Sequence, residues 1–152
     1  MVAHPRNYRI GVIADTHDRW MPQVADLFKR VDEIWHLGDV CHEPILDQLR
    51  LIDSKLSVVL GNNDFGIDYP EHLDLERCGE RFHLTHILPI RRLPACDWLL
   101  FGHTHRPTDE QHDGVHLFNP GSAGRANKGA PLSVGFLVRE NGKKFRSEVV
   151  KL

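Results

Sequence analysis

Cysteine is scarce in this chain. Its 152 residues include three, Cys41, Cys78 and Cys96, set far apart and with no C-x-x-C pair. So sparse and odd a set excludes a disulfide framework and a thiolate-bound structural zinc, and it points to a reducing compartment. Long apolar runs are also missing. Nothing approaches the roughly 20 residues of a membrane span, and the first ten residues, among them His4, Pro5, Arg6, Asn7 and Arg9, hold no apolar leader region. The expected location is cytoplasmic. Neither sign of charge dominates, since 19 Lys and Arg meet 21 Asp and Glu for a formal charge of −2. No strong field therefore draws the chain to nucleic acid or to an anionic membrane as its main partner. Linkers, low-complexity tracts and internal repeats are absent. What remains is an ordinary globular composition, 41 % hydrophobic and 26 % charged, in a length that suits one domain over residues 1–152. Against these absences stand eleven histidines, scattered rather than in one run.

The first half alternates short apolar runs with amphipathic segments. Ile10 to Ala14 is nearly all apolar, as a strand buried on both faces should be. Met21 to Val31 places Val24, Leu27, Phe28 and Val31 at helical spacing. Ile34 to Leu37 reads as a second strand, Glu43 to Ile52 as a helix with Pro44 at its start, and Leu56 to Leu60 as a third strand. A βαβαβ opening favours right-handed crossovers and a parallel sheet. The second half reads as strands. Leu73–Arg77 and Arg81–His86 form a hairpin around Cys78-Gly79-Glu80, and Trp98–Phe101, Val115–Phe118, Val134–Val138 and Phe145–Val150 follow, the last two joined at Asn141-Gly142. The expected fold class is α/β, a two-sheet mixed β-sandwich flanked by helices.

Five segments place metal-type ligands where a buried apolar run stops: Asp15-Thr16-His17, Gly38-Asp39, Gly61-Asn62-Asn63-Asp64, His86, and Gly102-His103-Thr104-His105. Ligands of open α/β sheets bind outside the carboxyl ends of strands, so these segments are expected to meet in one crevice. Asp15 and His17 are two apart, as are His103 and His105, which in extended chain points each pair to one side. The set of Asp15, His17, Asp39, Asn62, His86, His103 and His105 is oxygen and imidazole only. It suits Mn²⁺, Fe, Co, Ni or Zn, and seven ligands exceed one tetrahedral ion but fit two ions sharing a carboxylate.

In that order, Asp-x-His, Gly-Asp, Gly-Asn-x-Asp, a lone His and Gly-His-x-His resemble the calcineurin-like metallophosphoesterases, over Asp15 to about Ser122. The compact length is similar to the small single-domain phosphodiesterase branch, and also to the small subunit of retromer. The resemblance implies an αββα sandwich and two divalent metals, Mn foremost. It assigns Asp15, His17, Asp39 and His105 to the first metal. The second metal falls to Asn62, His86 and His103, with Asp39 bridging. It further implies hydrolysis of a small phosphate ester, a diester before a monoester, by a hydroxide held between the metals. Asp64 would orient a neighbouring group, and Asn119, in Asn119-Pro120-Gly121-Ser122, would contact substrate beside Asn62 and Asn63.

Two departures bear on this reading. Many relatives carry His after the Asn ligand, where it contacts phosphate and protonates the leaving group; here that position is Asn63, which has no titrating proton. The small branch often lacks this His too. Secondly, His86 is followed by Ile87 rather than Gly, and the stretch Leu88 to Pro94 carries two prolines, so a helix usual there is expected to be trimmed. A metal-binding interaction scaffold with a silent site is the alternative function. Among the other histidines, His36 reads as a hydrogen-bonded core residue and His42, His72, His83, His112 and His116 as surface. Cys41 reads as a small buried hydrophobe near the site, Asp18 as a cap, and Trp20 as a packing residue.

Overall fold

The computed structural model describes residues 3–53, 55–127 and 129–152. Among these residues the chain runs β1 (Tyr8–Ile13), α1 (Gln23–Leu27), β2 (Glu33–His36), α2 (Pro44–Ile52) and β3 (Leu56–Val58), then β4 (His72–Arg77), β5 (Glu80–Thr85), β6 (Trp98–Leu100), β7 (Thr108–His112), β8 (Val115–Asn119), β9 (Ser133–Arg139) and β10 (Arg146–Lys151). Two five-stranded sheets result, ordered β10-β9-β1-β2-β3 and β4-β5-β6-β8-β7. In the first, β1, β2 and β3 are parallel, with Ile10 opposite Glu33 and Ile34 opposite Leu56. In the second, β5, β6 and β8 are parallel, with Phe82 opposite Trp98 and Trp98 opposite His116. The remaining strands pair antiparallel, β9 beside β1 and β10 outside it, β4 and β7 at the two edges of the second sheet.

Alternation along each central strand divides its side chains between two cores. Ile10, Val12, Trp35, Leu37 and Leu137 of the first sheet meet Phe82, Leu84, Trp98, Leu100 and Phe118 of the second. On the other face of the first sheet Ile13, Ile34, Val134 and Phe136 pack under Val24 and Phe28 of the α1 region and Ile45, Leu46 and Leu49 of α2. The outer face of the second sheet, at Leu99, Phe101 and Leu117, is capped by Leu88 and Leu93 of a non-helical segment. The two prolines in that segment account for the missing helix.

Two expectations change. The helix read over Met21 to Val31 is helical only at Gln23–Leu27, and its N-cap, Pro22, makes no side-chain cap bond. Phe28 and Val31 are still buried, but Asp32 N–H already bonds Arg9 O (2.7 Å), so the chain must leave the helix to enter the sheet beside β1. Strand β7, unforeseen, consists of Thr-Asp-Glu-Gln-His at a sheet edge. It is almost wholly exposed and carries no apolar alternation to betray it.

At the amino-terminal end of β2, Glu33 is fully buried. It accepts from Tyr8 Oη (2.6 Å), Trp35 Nε1 (2.7 Å), and Arg77 Nε and Nη2 (2.7 and 3.1 Å), joining the two sheets. Burial alone would raise its pKa, but the bonds from Arg77, Tyr8 and Trp35 outweigh it and hold the carboxyl below the usual range. A depressed pKa stabilises above the unfolded value of about 4.3, and that stability is lost as pH falls through the folded value. Arg77→Ala should therefore cost on the order of 3 kcal/mol in urea unfolding at pH 7, with the gap to the parent chain narrowing below pH 4. Equal stability at pH 7 would contradict the lock.

Candidate metal centre

The carboxyl ends of β1, β2, β3, β5, β6 and β8 all feed the same edge of the sandwich, and their loops are bonded to one another. Asp15 N–H donates to Gly38 O (3.0 Å), and His17 N–H donates to Asp39 O (3.1 Å). The Asp64 carboxylate accepts from the backbone of Asp39, Gly61 and Cys41, each at 2.8 Å. A Cβ on Gly61 would collide with the Asp39 carboxylate, so the third loop can approach only as glycine.

Five of the expected ligands, Asp15, His17, Asp39, His103 and His105, take positive φ, between 47° and 72°. The loops are thus not the extended segments the i, i+2 spacing suggested. Left-handed turns aim each pair at the crevice, while the intervening Thr16 and Thr104 bond elsewhere. Such conformations cost on the order of 1–3 kcal/mol each and persist where the surroundings enforce them. Here the enforcing groups include His36, read correctly as a core residue. It is fully buried with its proton affinity pushed down to about 3 by burial. Its Nδ1 accepts from Gly38 N–H (3.1 Å), which leaves Nε2–H for Thr16 Oγ1 (3.1 Å), whose own proton goes to Val40 O (3.2 Å).

The result is two overlapping donor groups, Asp15/His17/His105 and Asp15/Asp39/His86. His105 Nε2 stands 3.4 Å from Asp15 Oδ1 and 3.1 Å from His17 Nε2. His86 Nε2 lies 3.4 Å from Asp39 Oδ2 and 3.7 Å from Asp15 Oδ1, and His17 Nε2 lies 3.5 Å from Asp39 Oδ2. Ligand atoms bound at about 2.0–2.2 Å to one ion stand roughly 3.0–3.5 Å apart, so these are the separations a shared cation produces. Asp15 Oδ1 and His86 Nε2 are buried and have no hydrogen-bond partner among the described residues. The other His86 nitrogen, Nδ1, donates to Leu37 O (2.8 Å), which presents Nε2 with a free lone pair. At the exposed mouth, His103 Nδ1 donates to Asn62 Oδ1 (3.1 Å). The residues fit a divalent metal pair: oxygen and imidazole donors, two of them buried and unsatisfied, with ring orientations fixed from behind.

This architecture has known relatives. The calcineurin-like phosphoesterase superfamily domain matches residues 8–142. The chain belongs to that superfamily. Within the superfamily it is 32 % identical over 160 residues to a probable metallophosphoesterase of Methanothermobacter thermautotrophicus, covering 93 % of this chain and 91 % of that one. It is 32 % identical over 145 residues to the phosphodiesterase YfcE of Escherichia coli, covering 76 % and 78 %. Vacuolar protein sorting 29 of Cryptosporidium parvum shares the fold with a TM-score of 0.77 at 20 % identity, over 97 % of this chain and all of that one.

Three residues depart from the reading made from sequence. Asn119, expected at the substrate, is fully buried: its Nδ2 donates to Gly102 O (3.0 Å) and Thr104 Oγ1 (3.1 Å), and its Oδ1 accepts from Gly121 N–H (2.9 Å). It shapes the Gly102–His105 loop and has no donor left for a substrate. Asn63 turns its amide onto Asp39 Oδ2 (2.9 Å) while its backbone N–H takes Oδ1 (2.9 Å). Cys41 is exposed, not buried, with Sγ 3.7 Å from His17 Nδ1. Sequence reasoning also missed Ser122, whose Oγ donates to Asp15 O (2.8 Å) and anchors the first loop. Its place in the Asn-Pro-Gly-Ser turn was the available signal.

The electrostatics follow from the packing. Burial dominates Asp15 and pushes its carboxyl up to about 7, against the opposing charge of His86 and the His103 N–H. Burial opposes ionisation of Asp39 too, but His86 and the two Asn63 bonds prevail and hold it well below the usual range. Burial would strip His86 of its proton, yet Asp39 and Asp15 reverse this and raise its pKa. Without a cation, the Asp15 carboxyl therefore titrates near neutrality, so a metal must displace its proton. Mn²⁺ affinity should fall at least tenfold from pH 8 to pH 6. Calorimetry in buffers of different ionisation enthalpy should show proton release on binding. Equal affinity at both pH values would contradict this electrostatic picture.

Proposed function

We propose that this chain is a dinuclear metal-dependent phosphodiesterase acting on a small phosphate ester. The observation that carries the reading is the pair of donor groups meeting at Asp15, with Asp15 Oδ1 and His86 Nε2 buried and without hydrogen-bond partners among the described residues. In this reading Asp15, His17, Asp39 and His105 hold one cation, and Asn62, His86 and His103 hold the other, with Asp39 between them. Asp15 Oδ1 faces His86 and His105 alike, so it would be within reach of either site. The thiol-free donor set suits Mn²⁺ first, and Fe, Co, Ni or Zn as well. Bound there, two such cations supply an activated water and neutralise charge on the phosphate oxygens.

The remaining work falls to the protein's own groups. Asn63 and His86 keep Asp39 ionised, and Asp64 fixes the backbone that presents it. Because the Asn63 amide carries no titrating proton, leaving groups depart without a strong acid from this position. That favours esters of good leaving groups, since general acid catalysis is typically worth about 10²–10⁴-fold. A groove of about 220 Å³ runs from Asn62 and His86 past Gly61, Glu71 and Ile87, open enough for the second ester arm of a diester. The named activity of the YfcE relative supports the diester.

The likeness to vacuolar protein sorting 29, together with Asn63, favours the second reading, an interaction scaffold with a silent site. Hydrolysis of bis-p-nitrophenyl phosphate separates the two. The enzyme reading expects Mn²⁺-stimulated turnover, abolished by chelator and reduced at least 10³-fold in Asp39→Ala. Absence of turnover with Mn²⁺, Co²⁺, Ni²⁺ and Zn²⁺ alike would favour the scaffold.

A further inference from the structure

The turn after β8 carries a residue that none of the metal motifs includes. Ala123 N–H bonds Ala14 O (3.0 Å), and Ser122 Oγ accepts from the N–H groups of Gly124 (3.3 Å) and Arg125 (2.8 Å). Gly124 lies so close to the Thr16 carbonyl that a Cβ there would collide with it. Asn127 Nδ2 donates to Thr104 O (2.7 Å). The segment is thus braced on both the Asp15–His17 loop and the His103–His105 loop, and Arg125 is rooted beside the metal-facing imidazoles. Its side chain is exposed, and its guanidinium has no ion pair or hydrogen bond among the described residues. Burial is the main cause of the lowered pKa of His17 and His105, but the Arg125 charge adds to it at both rings, which sets that charge close to the cluster.

A planar guanidinium with five donors, fixed at its root and unpaired at its tip, matches the non-bridging oxygens of a phosphoryl group. The alternative donor, the Asn63 amide, is committed to Asp39. We propose that Arg125 is a substrate-binding residue: its guanidinium donates to the non-bridging oxygens of the phosphate on the His17/His105 side of the crevice. This rests on the phosphoesterase reading and adds the phosphate-binding cation to it.

The test uses the full chain loaded with Mn²⁺, in the parent form and as Arg125→Ala and Arg125→Lys. It reads three quantities: bound metal per chain, calorimetric affinity for inorganic phosphate, and kcat/KM on bis-p-nitrophenyl phosphate. A charge-assisted hydrogen bond to phosphate predicts a 10- to 100-fold loss of phosphate affinity and of kcat/KM in Arg125→Ala. Metal content should be unchanged, and Arg125→Lys should recover part of the loss. Phosphate affinity equal to the parent's would overturn the proposal. So would loss of bound metal in Arg125→Ala, because the side chain would then serve the loop and not the ligand. Failure of the underlying reading shows in the parent chain alone, as metal binding without turnover. A fall in phosphate affinity in Arg125→Ala would still support the Arg125 site in that case.

Discussion

Two carboxylates brought out of water at one edge of a β-sandwich set the terms for everything around them. Asp15 and Asp39 are buried, and both face His86 and His17. Like charges in a low dielectric repel unless protons or cations intervene. The chain answers with asymmetry. Asp39 is surrounded by donors and stays ionised, whereas Asp15 keeps one oxygen unpartnered and its pKa is driven up to about 7. That combination is poor design for a metal-free core and good design for a centre whose last partner is a divalent cation.

The fold exists to hold those two groups there. Six strands from two sheets end at the same edge, and each ends in a loop bonded to the next. Strain in the left-handed turns at Asp15, His17, Asp39, His103 and His105 is held by the backbone bridges to Asp64 and the buried His36–Thr16–Val40 chain. At the other end, the Glu33 network ties the sheets through Arg77, Tyr8 and Trp35.

Much of this was legible in the residues themselves. The apolar runs from Ile10, Ile34, Trp98 and Val134 named the central strands, because a strand buried on both faces has to be apolar throughout. The ligands were legible because each follows such a run, and glycine marks several of the turns. What escaped was structure decided by tertiary contact. Strand β7 is too polar to announce itself, and α1 is cut short by the demand that Asp32 pair with β1. Asn119 looked available because asparagine in a turn after a strand reads the same whether its amide faces solvent or, as here, a neighbouring loop. Asn63 likewise gives no sign in sequence of turning toward Asp39. Cys41 is outside because a left-handed φ at that position, needed to carry its N–H to Asp64, turns the thiol toward His17.

The central claim is that two cations belong between these side chains. Anomalous diffraction from crystals grown with Mn²⁺ addresses it directly. The account predicts two peaks about 3.5–4 Å apart. One should lie within bonding distance of Asp15, His17 and His105 and the other of Asn62, His86 and His103, with Asp39 touching both. A single peak, or density that leaves Asp39 unbound, would contradict it.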